Sequence, residues 1–127
     1  MKTSIIALFI VLAFASCKYD SYVSSSGLSG RWNVSSDFYY DGVGLGNHAV
    51  TYAGQLGDYF NFSSNGMLYT KEGSTLDTLS YQFLQGSVSI DRNVYQIENS
   101  SSYSVTLYWP GEVTPGGQFS RKIVLTR

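Results

Sequence analysis

From Gly30 onward hydrophobic and polar residues alternate with a period of two, the mark of half-buried strands, and no stretch keeps a helical period. Trp32, Val34, Phe38 and Tyr40 are expected on one face of the first strand, with Arg31, Asn33, Ser35 and Asp37 on the other. Asp41-Gly42 and the glycines of 42–47 break this run, and a further strand is expected over 48–53. Phe60 and Phe62 point inward from the next strand. Ser63-Ser64-Asn65-Gly66 then turns the chain into a return strand over 67–71. Asn-Gly between apolar and aromatic runs is a strong hairpin signal, because both residues tolerate positive φ. Leu79, Tyr81 and Phe83 follow, then Val88 and Ile90, Tyr95 and Ile97, and Val105, Leu107 and Trp109. Gln85-Gly86 and Asp91-Arg92-Asn93 separate the earlier runs, and a Pro- and Gly-containing loop over 110–118 precedes Phe119, Arg121, Ile123 and Leu125. Strands at roughly ten-residue spacing joined by hairpin-length turns predict an all-β fold. We expect a small antiparallel up-and-down β-barrel of eight or nine strands in preference to a sandwich, since closure removes exposed edges.

The first residues follow a different pattern. Met1 and Lys2 give a positive start, 5–14 is an almost unbroken apolar run, and Ala15 and Ser16 are small. That order is the signature of a secretory signal, too short for a spanning helix of about 20 residues. Phe14-Ala15-Ser16-Cys17 resembles the lipobox of bacterial lipoproteins, with Phe where Leu is commoner. The resemblance implies cleavage before Cys17, a diacylglycerol on its sulfur and an acyl chain on its amine. Buried acyl chains, at about 0.8 kcal/mol per CH₂, would hold the product on a bilayer. The expected division is a signal peptide over 1–16, a Ser-rich tether over 17–27 anchored through Cys17, and a barrel domain over 28–127.

Composition narrows the function classes. The chain has 127 residues, of which 13% are charged, 16% are aromatic and one is a Cys, with a formal net charge of -1. Length favours one domain. The charge gives no footprint for nucleic acid or an anionic membrane surface. One Cys excludes a disulfide framework and a cysteine-based zinc site. No cofactor is expected.

Leu28-Ser29-Gly30-Arg31-Trp32-Asn33-Val34, the hairpin from Asp58 to Gly66, Leu79-Ser80-Tyr81, Tyr95-Gln96-Ile97 and Ser104-Val105-Thr106-Leu107-Tyr108 together resemble the lipocalin-like domain of small bacterial lipoproteins. In that family the Gly-x-Trp tryptophan plugs one barrel end and a basic residue near the last strand covers it. Gly30 and Trp32 match the motif, and Arg121 or Arg127 would supply the cation. The chain is shorter than larger lipocalins and lacks their C-terminal helix, so inward rings are expected to fill much of a small barrel. The resemblance implies binding or an unassigned role, and no reaction.

Candidate chemistry is sparse. His48, the sole imidazole, follows a glycine-rich stretch and is expected in a solvated loop. Asp37, Asp41, Asp58, Asp77 and Asp91 lie mainly beside predicted turns, where Asp bonds nearby backbone. No Asp-x-Asp-x-Asp-Gly calcium loop occurs, and 42–46 lacks the Lys-Ser/Thr end of a phosphate cradle. Trp32, Phe60, Phe62, Tyr81, Phe83 and Phe119 are expected in the core, with Tyr39, Tyr52, Tyr59, Tyr69, Tyr103 and Tyr108 alternating outward. Trp109, Tyr108 and Tyr39 are the expected ligand contacts, with 42–47 and 110–118 as rim loops, because such rings combine stacking area with a polar tip. The expected protein is a lipid-anchored, non-enzymatic barrel of the bacterial cell envelope, on the periplasmic or surface face of the outer membrane. It would bind a small apolar or glycan ligand, or a partner protein. Two alternatives are a structural envelope subunit with a filled barrel, and a hydrolase with two facing carboxylates or with His48 beside an acid.

Overall fold

A computed structural model describes residues 25–41, 48–111, 113–114 and 117–127. The predicted signal peptide, Cys17, most of the tether, loop 42–47 and part of loop 110–118 lie outside them.

After a 3-10 turn at Ser25–Leu28 come ten strands. They are β1 (Gly30–Asp41), β2 (His48–Ala53), β3 (Tyr59–Phe62), β4 (Met67–Glu72), β5 (Thr75–Leu84), β6 (Ser87–Ile90), β7 (Asn93–Glu98), β8 (Ser104–Trp109), β9 (Val113–Thr114) and β10 (Gly117–Thr126). Eight of them, β1, β3 to β8 and β10, pair antiparallel with sequence neighbours, and β10 pairs with β1 to close an up-and-down barrel. β2 is an extra strand on the upper half of β1, and β9 is a two-residue stub against β10. The lower half of β1 pairs with β3, so β2 and β3 share one edge of the same long strand.

The turns carry the expected chemistry with one refinement. At 63–66 only Gly66 takes positive φ, at 79°, while the Asn65 side chain accepts from the Met67 N–H at 3.0 Å. The β6–β7 connection puts both Asp91 and Arg92 at positive φ, the geometry that matches strand twist in a two-residue hairpin. β5 begins at Thr75, four residues before the apolar alternation of Leu79, Tyr81 and Phe83 becomes visible.

The core lies along the barrel axis. Trp32, Phe62, Leu107, Ile123 and Leu125 are essentially inaccessible, and Tyr81, Phe83 and Trp109 pack against them half-buried. Phe62 meets Tyr81 edge-on at 5.2 Å, and Tyr81 meets Phe83 at 5.0 Å. Buried rings in this arrangement add about 0.5–1.5 kcal/mol per pair beyond area burial.

The alternation expected for β1 fails at its centre. Val34 pairs with Leu125 but Ser36 pairs with Val124, so Ser35 is an extra residue, a β-bulge. Beyond it the inward phase inverts. Asp37, expected on the outer face, turns inward and is 6% exposed, while Phe38 leaves the core face. The bulge is held from the side. Gly54 N–H donates to Ser35 O at 3.0 Å, and Val34 N–H donates to Asp58 O at 3.3 Å. A Cβ on Gly54 would sit 1.7 Å from Val34 O. Gly54→Ala is therefore expected to lower stability by at least about 1–3 kcal/mol, the usual cost of forced overpacking. Urea unfolding measures that cost, and amide exchange should show β2 protection lost before that of β4.

Candidate functional site

The two barrel ends differ. At one, Gly30 at φ +94° leads the chain from the 3-10 turn into β1. Trp32 Nε1 donates to Leu28 O at 2.9 Å, so the indole is buried with its polar edge satisfied. The Arg127 guanidinium lies 3.9 Å from the Trp32 ring centroid and donates to Ser29 O at 2.5 Å. Gly30, Trp32 and Arg127 thus meet and plug the barrel axis at this end, and outside the plug lies a cavity of about 320 Å³ lined by Leu28, Trp32, Ser100 to Ser102, Val105 and Arg127. Arg121, the other sequence candidate for the covering cation, does not join them. Six positions earlier on β10, it faces the barrel interior near the opposite end, and its partner there is Asp37.

That opposite end carries the charged cluster. The bulge brings Asp37 onto the inward face of β1, β10 brings Arg121, and the Leu68, Thr70, Glu72 phase of β4 brings Glu72. Arg121 grips Asp37 with one edge of its guanidinium: Nε lies 3.0 and 3.1 Å from the two carboxylate oxygens, and Nη2 lies 2.5 Å from Oδ2. Burial opposes the Arg121 charge, but Asp37 and the Tyr95 hydroxyl more than offset it and hold the guanidinium protonated. Tyr95 is itself raised by burial.

Glu72 is not so well served. Its Oε1 is buried without a hydrogen-bond partner, and the nearest cation atom, Arg121 Nη2, is 3.8 Å away. Burial first, and the Asp37 charge second, push the Glu72 carboxyl up from 4.5 to about 7. A carboxyl raised by folding favours the folded state while protonated. Its contribution is full below the unfolded value of 4.5 and is lost as pH rises through about 7. At most this is worth about 3 kcal/mol. Glu72→Gln keeps N–H donors toward Asp37 and removes the charge. The variant should match or exceed the parent in melting temperature above pH 7 and lose most of the parent's decline between pH 4.5 and 7. A variant as pH-sensitive as the parent would show that another group titrates.

A second carboxylate fixes the walls. Asp58 is 1% exposed and accepts from Tyr52 Oη at 2.5 Å, Gln55 N at 2.8 Å and Gly73 N at 2.9 Å, with Lys71 Nζ at 4.0 Å. Its pKa is lowered by the Tyr52 hydroxyl first and the Gln55 N–H second. Reciprocally, Tyr52 is pushed up to about 12 by its bond to Asp58 and by burial. Asp58 thereby ties β2, the β2–β3 link and the β4–β5 turn together.

Between these walls opens a cavity of about 370 Å³, lined by Asp37, Tyr39, Val50, Tyr52, Glu72, Thr75 and Arg121. Below it lies a smaller one of about 50 Å³, whose lining includes Thr70, Asp77, Tyr95 and Ile123. Glu72, Thr75 and Arg121 line both and form the partition. The smaller space has room for about three waters and the polar groups to hold them. The upper one lies at the low end of the ~300–1,000 Å³ range of small-molecule sites.

Of the three rings expected to contact a ligand, Tyr39 alone lines the mouth. Trp109 points the other way from Tyr108, as neighbours on a strand must. The indole packs on the core 6.4 Å from Tyr95, and Tyr108 lies outside under Lys122 at 5.5 Å. His48 opens β2, but its imidazole and the Asp41 side chain lie outside the described residues. Asp91 sits in its turn as expected; Asp37 and Asp58 are buried instead. Glu72, Thr75, Val50 and the inward role of Arg121 escaped the sequence reading. The parity of Arg121 with Ile123 and Leu125 was the available sign, because a cation on a core face needs a partner. Among the described residues no group of three His, Cys, Asp or Glu could hold a metal.

The chain is thus a closed all-β barrel, plugged at one end and cupped at the other. No protein-family model matches it, and no curated protein is found similar to it.

Proposed function

We propose that this is a lipid-anchored envelope protein of the lipocalin-like type, whose non-enzymatic barrel holds a small ligand in its mouth. The observation that carries the reading is the contrast in volume, about 370 Å³ at the mouth against about 50 Å³ beneath it. A ligand the size of a sugar fits the first and not the second. The floor is charged, which favours a polar ligand over the apolar one and supports capture at the mouth rather than swallowing along the axis. The signal and the lipobox at Cys17 support the anchor.

Two experiments test it. Cys17→Ser should abolish fatty-acid labelling in a bacterial host and release the protein from the membrane fraction; continued labelling would refute the anchor. A fragment screen by amide NMR should give shifts clustered at Tyr39, Val50 and Thr75. Shifts confined to the Trp32 end would move the site to the cavity of about 320 Å³ there and refute the mouth, and no shifts at all would remove the binding reading and favour a structural subunit.

Hydrolysis has one point in its favour, a Glu whose carboxyl is pushed up to about 7 beside an aspartate, as in acid-base pairs. Both Asp37 oxygens are taken by Arg121, which weighs against Asp37 as base or nucleophile. Turnover of chromogenic esters or glycosides that disappears in Glu72→Gln would establish it.

A further inference from the structure

We infer that the mouth cavity recognises a small organic cation, a primary amine or amidine, whose N–H groups donate to Glu72 on the cavity floor. This rests on the proposed binding role of the mouth and specifies its ligand class.

The geometry sets the sign of the charge. Asp37, Glu72 and Arg121 line the cavity, two carboxyl groups and one guanidinium. The Arg121 charge is already matched, since its Nε and Nη2 engage both oxygens of Asp37. It is also the only cation among the described residues lining either cavity, and Asp77 adds another carboxylate to the inner one. Lys71 is nearby but faces Asp58 at 4.0 Å. An anionic ligand would meet two carboxylates and a guanidinium that is already paired. A cation meets a net negative floor and the acceptor that lacks a donor, Glu72 Oε1. An ammonium or amidinium there would replace the missing charge-assisted bond, which is stronger than a neutral one. The rings of Tyr39 and Tyr52 flank the approach, and aromatic faces attract organic cations.

This assignment carries its own pH signature. The groups acting on Glu72 are Asp37 from β1, Tyr52 from β2, Asp58 from the β2–β3 link and Arg121 on β10, while Lys71, its neighbour on β4, faces Asp58. Asp77 on β5 and Tyr95 on β7 share its inner cavity. Burial pushes the Glu72 carboxyl up to about 7. A cation requires the ionised form, so its affinity should fall about tenfold between pH 8 and pH 6, following the ionised fraction of a group titrating near 7. A neutral polyol donating to the same oxygen would not release a proton in this way.

The probes are n-butylammonium, n-butanol and n-butyrate, with methyl glucoside as the neutral sugar, added to the full chain at fixed ionic strength. Amide NMR locates binding, and calorimetry in two buffers of different ionisation enthalpy counts protons. The expected result is butylammonium at Tyr39, Glu72 and Thr75, at least tenfold tighter than butanol or butyrate, with proton release at pH 7. Glu72→Gln should weaken it at least tenfold without lowering the melting temperature. Equal binding of butanol or butyrate, unchanged affinity in Glu72→Gln, or no pH dependence would overturn the cation assignment. Methyl glucoside shifting the mouth while butylammonium does not would also overturn it, yet leave the binding role standing. No shift at the mouth with any probe would remove both.

Discussion

Arg121→Ala is expected to lower stability by about 3–5 kcal/mol, the usual cost of stranding a buried charge. Asp37 is 6% exposed and takes three contacts from the guanidinium, so its removal leaves an anion inside the barrel facing Glu72. The loss should exceed that of any exposed ion pair, which contributes about 0–1 kcal/mol. A double variant distinguishes pair from packing: Asp37→Leu with Arg121→Met removes both charges and should recover most of the loss, since apolar replacements of buried pairs are often neutral or better. Urea unfolding of the two single variants and the double variant reads the coupling. Additive losses would mean that the contact contributes little.

Trp32→Ala is expected to cost about 3–5 kcal/mol, the range for a deleted buried aromatic. The indole is 1% exposed, satisfies Leu28 O and supports the Arg127 guanidinium. Its loss opens a cavity at the plugged end and removes a cation-π contact of about 0.5–2 kcal/mol. Arg127→Met should therefore cost only that smaller share, and the mouth of both variants should keep its native amide shifts wherever they remain folded. A Trp32→Ala barrel as stable as the parent would mean that the plug is ornamental.

How much of this was legible in the chain follows from the range of each signal. Strands and hairpins were local: Phe60 and Phe62 against Leu68 across Asn65-Gly66, or Val88 and Ile90 against Tyr95 across Asp91-Arg92, declare both period and turn within a dozen residues. The plug was legible through the resemblance carried by Gly30 and Trp32, two positions apart, though Arg121 and Arg127 were both open as its cation and it is Arg127, just past the last strand, that covers the indole. The cup was not. Its anion, Asp37, reaches the interior only through the bulge at Ser35, which depends on Gly54 and Asp58 well downstream. Strict alternation, applied without that bulge, put Asp37 outside. Its counter-ion stands 84 residues away, and no local period links the two. The polar start of β5, Thr75 to Thr78, carries no apolar alternation, so Thr75 was invisible as a wall of the cavity. Trp109 follows the parity of Leu107 and Val105, which packs its ring half-buried against the core rather than beside the cavity at the mouth, a placement that its position next to Pro110-Gly111 does not reveal.

The proposed binding role rests on the Glu72 carboxyl, which burial in the mouth pushes up to about 7, and the direct test is its titration. Carbon-13 NMR of the Glu72 side-chain carboxyl, followed from pH 3 to pH 9 in the folded protein, should show a midpoint near 7. It should move downward when butylammonium is present. A midpoint near the ordinary glutamate value of about 4.3, unmoved by the amine, would place Glu72 in solvent and contradict the cup.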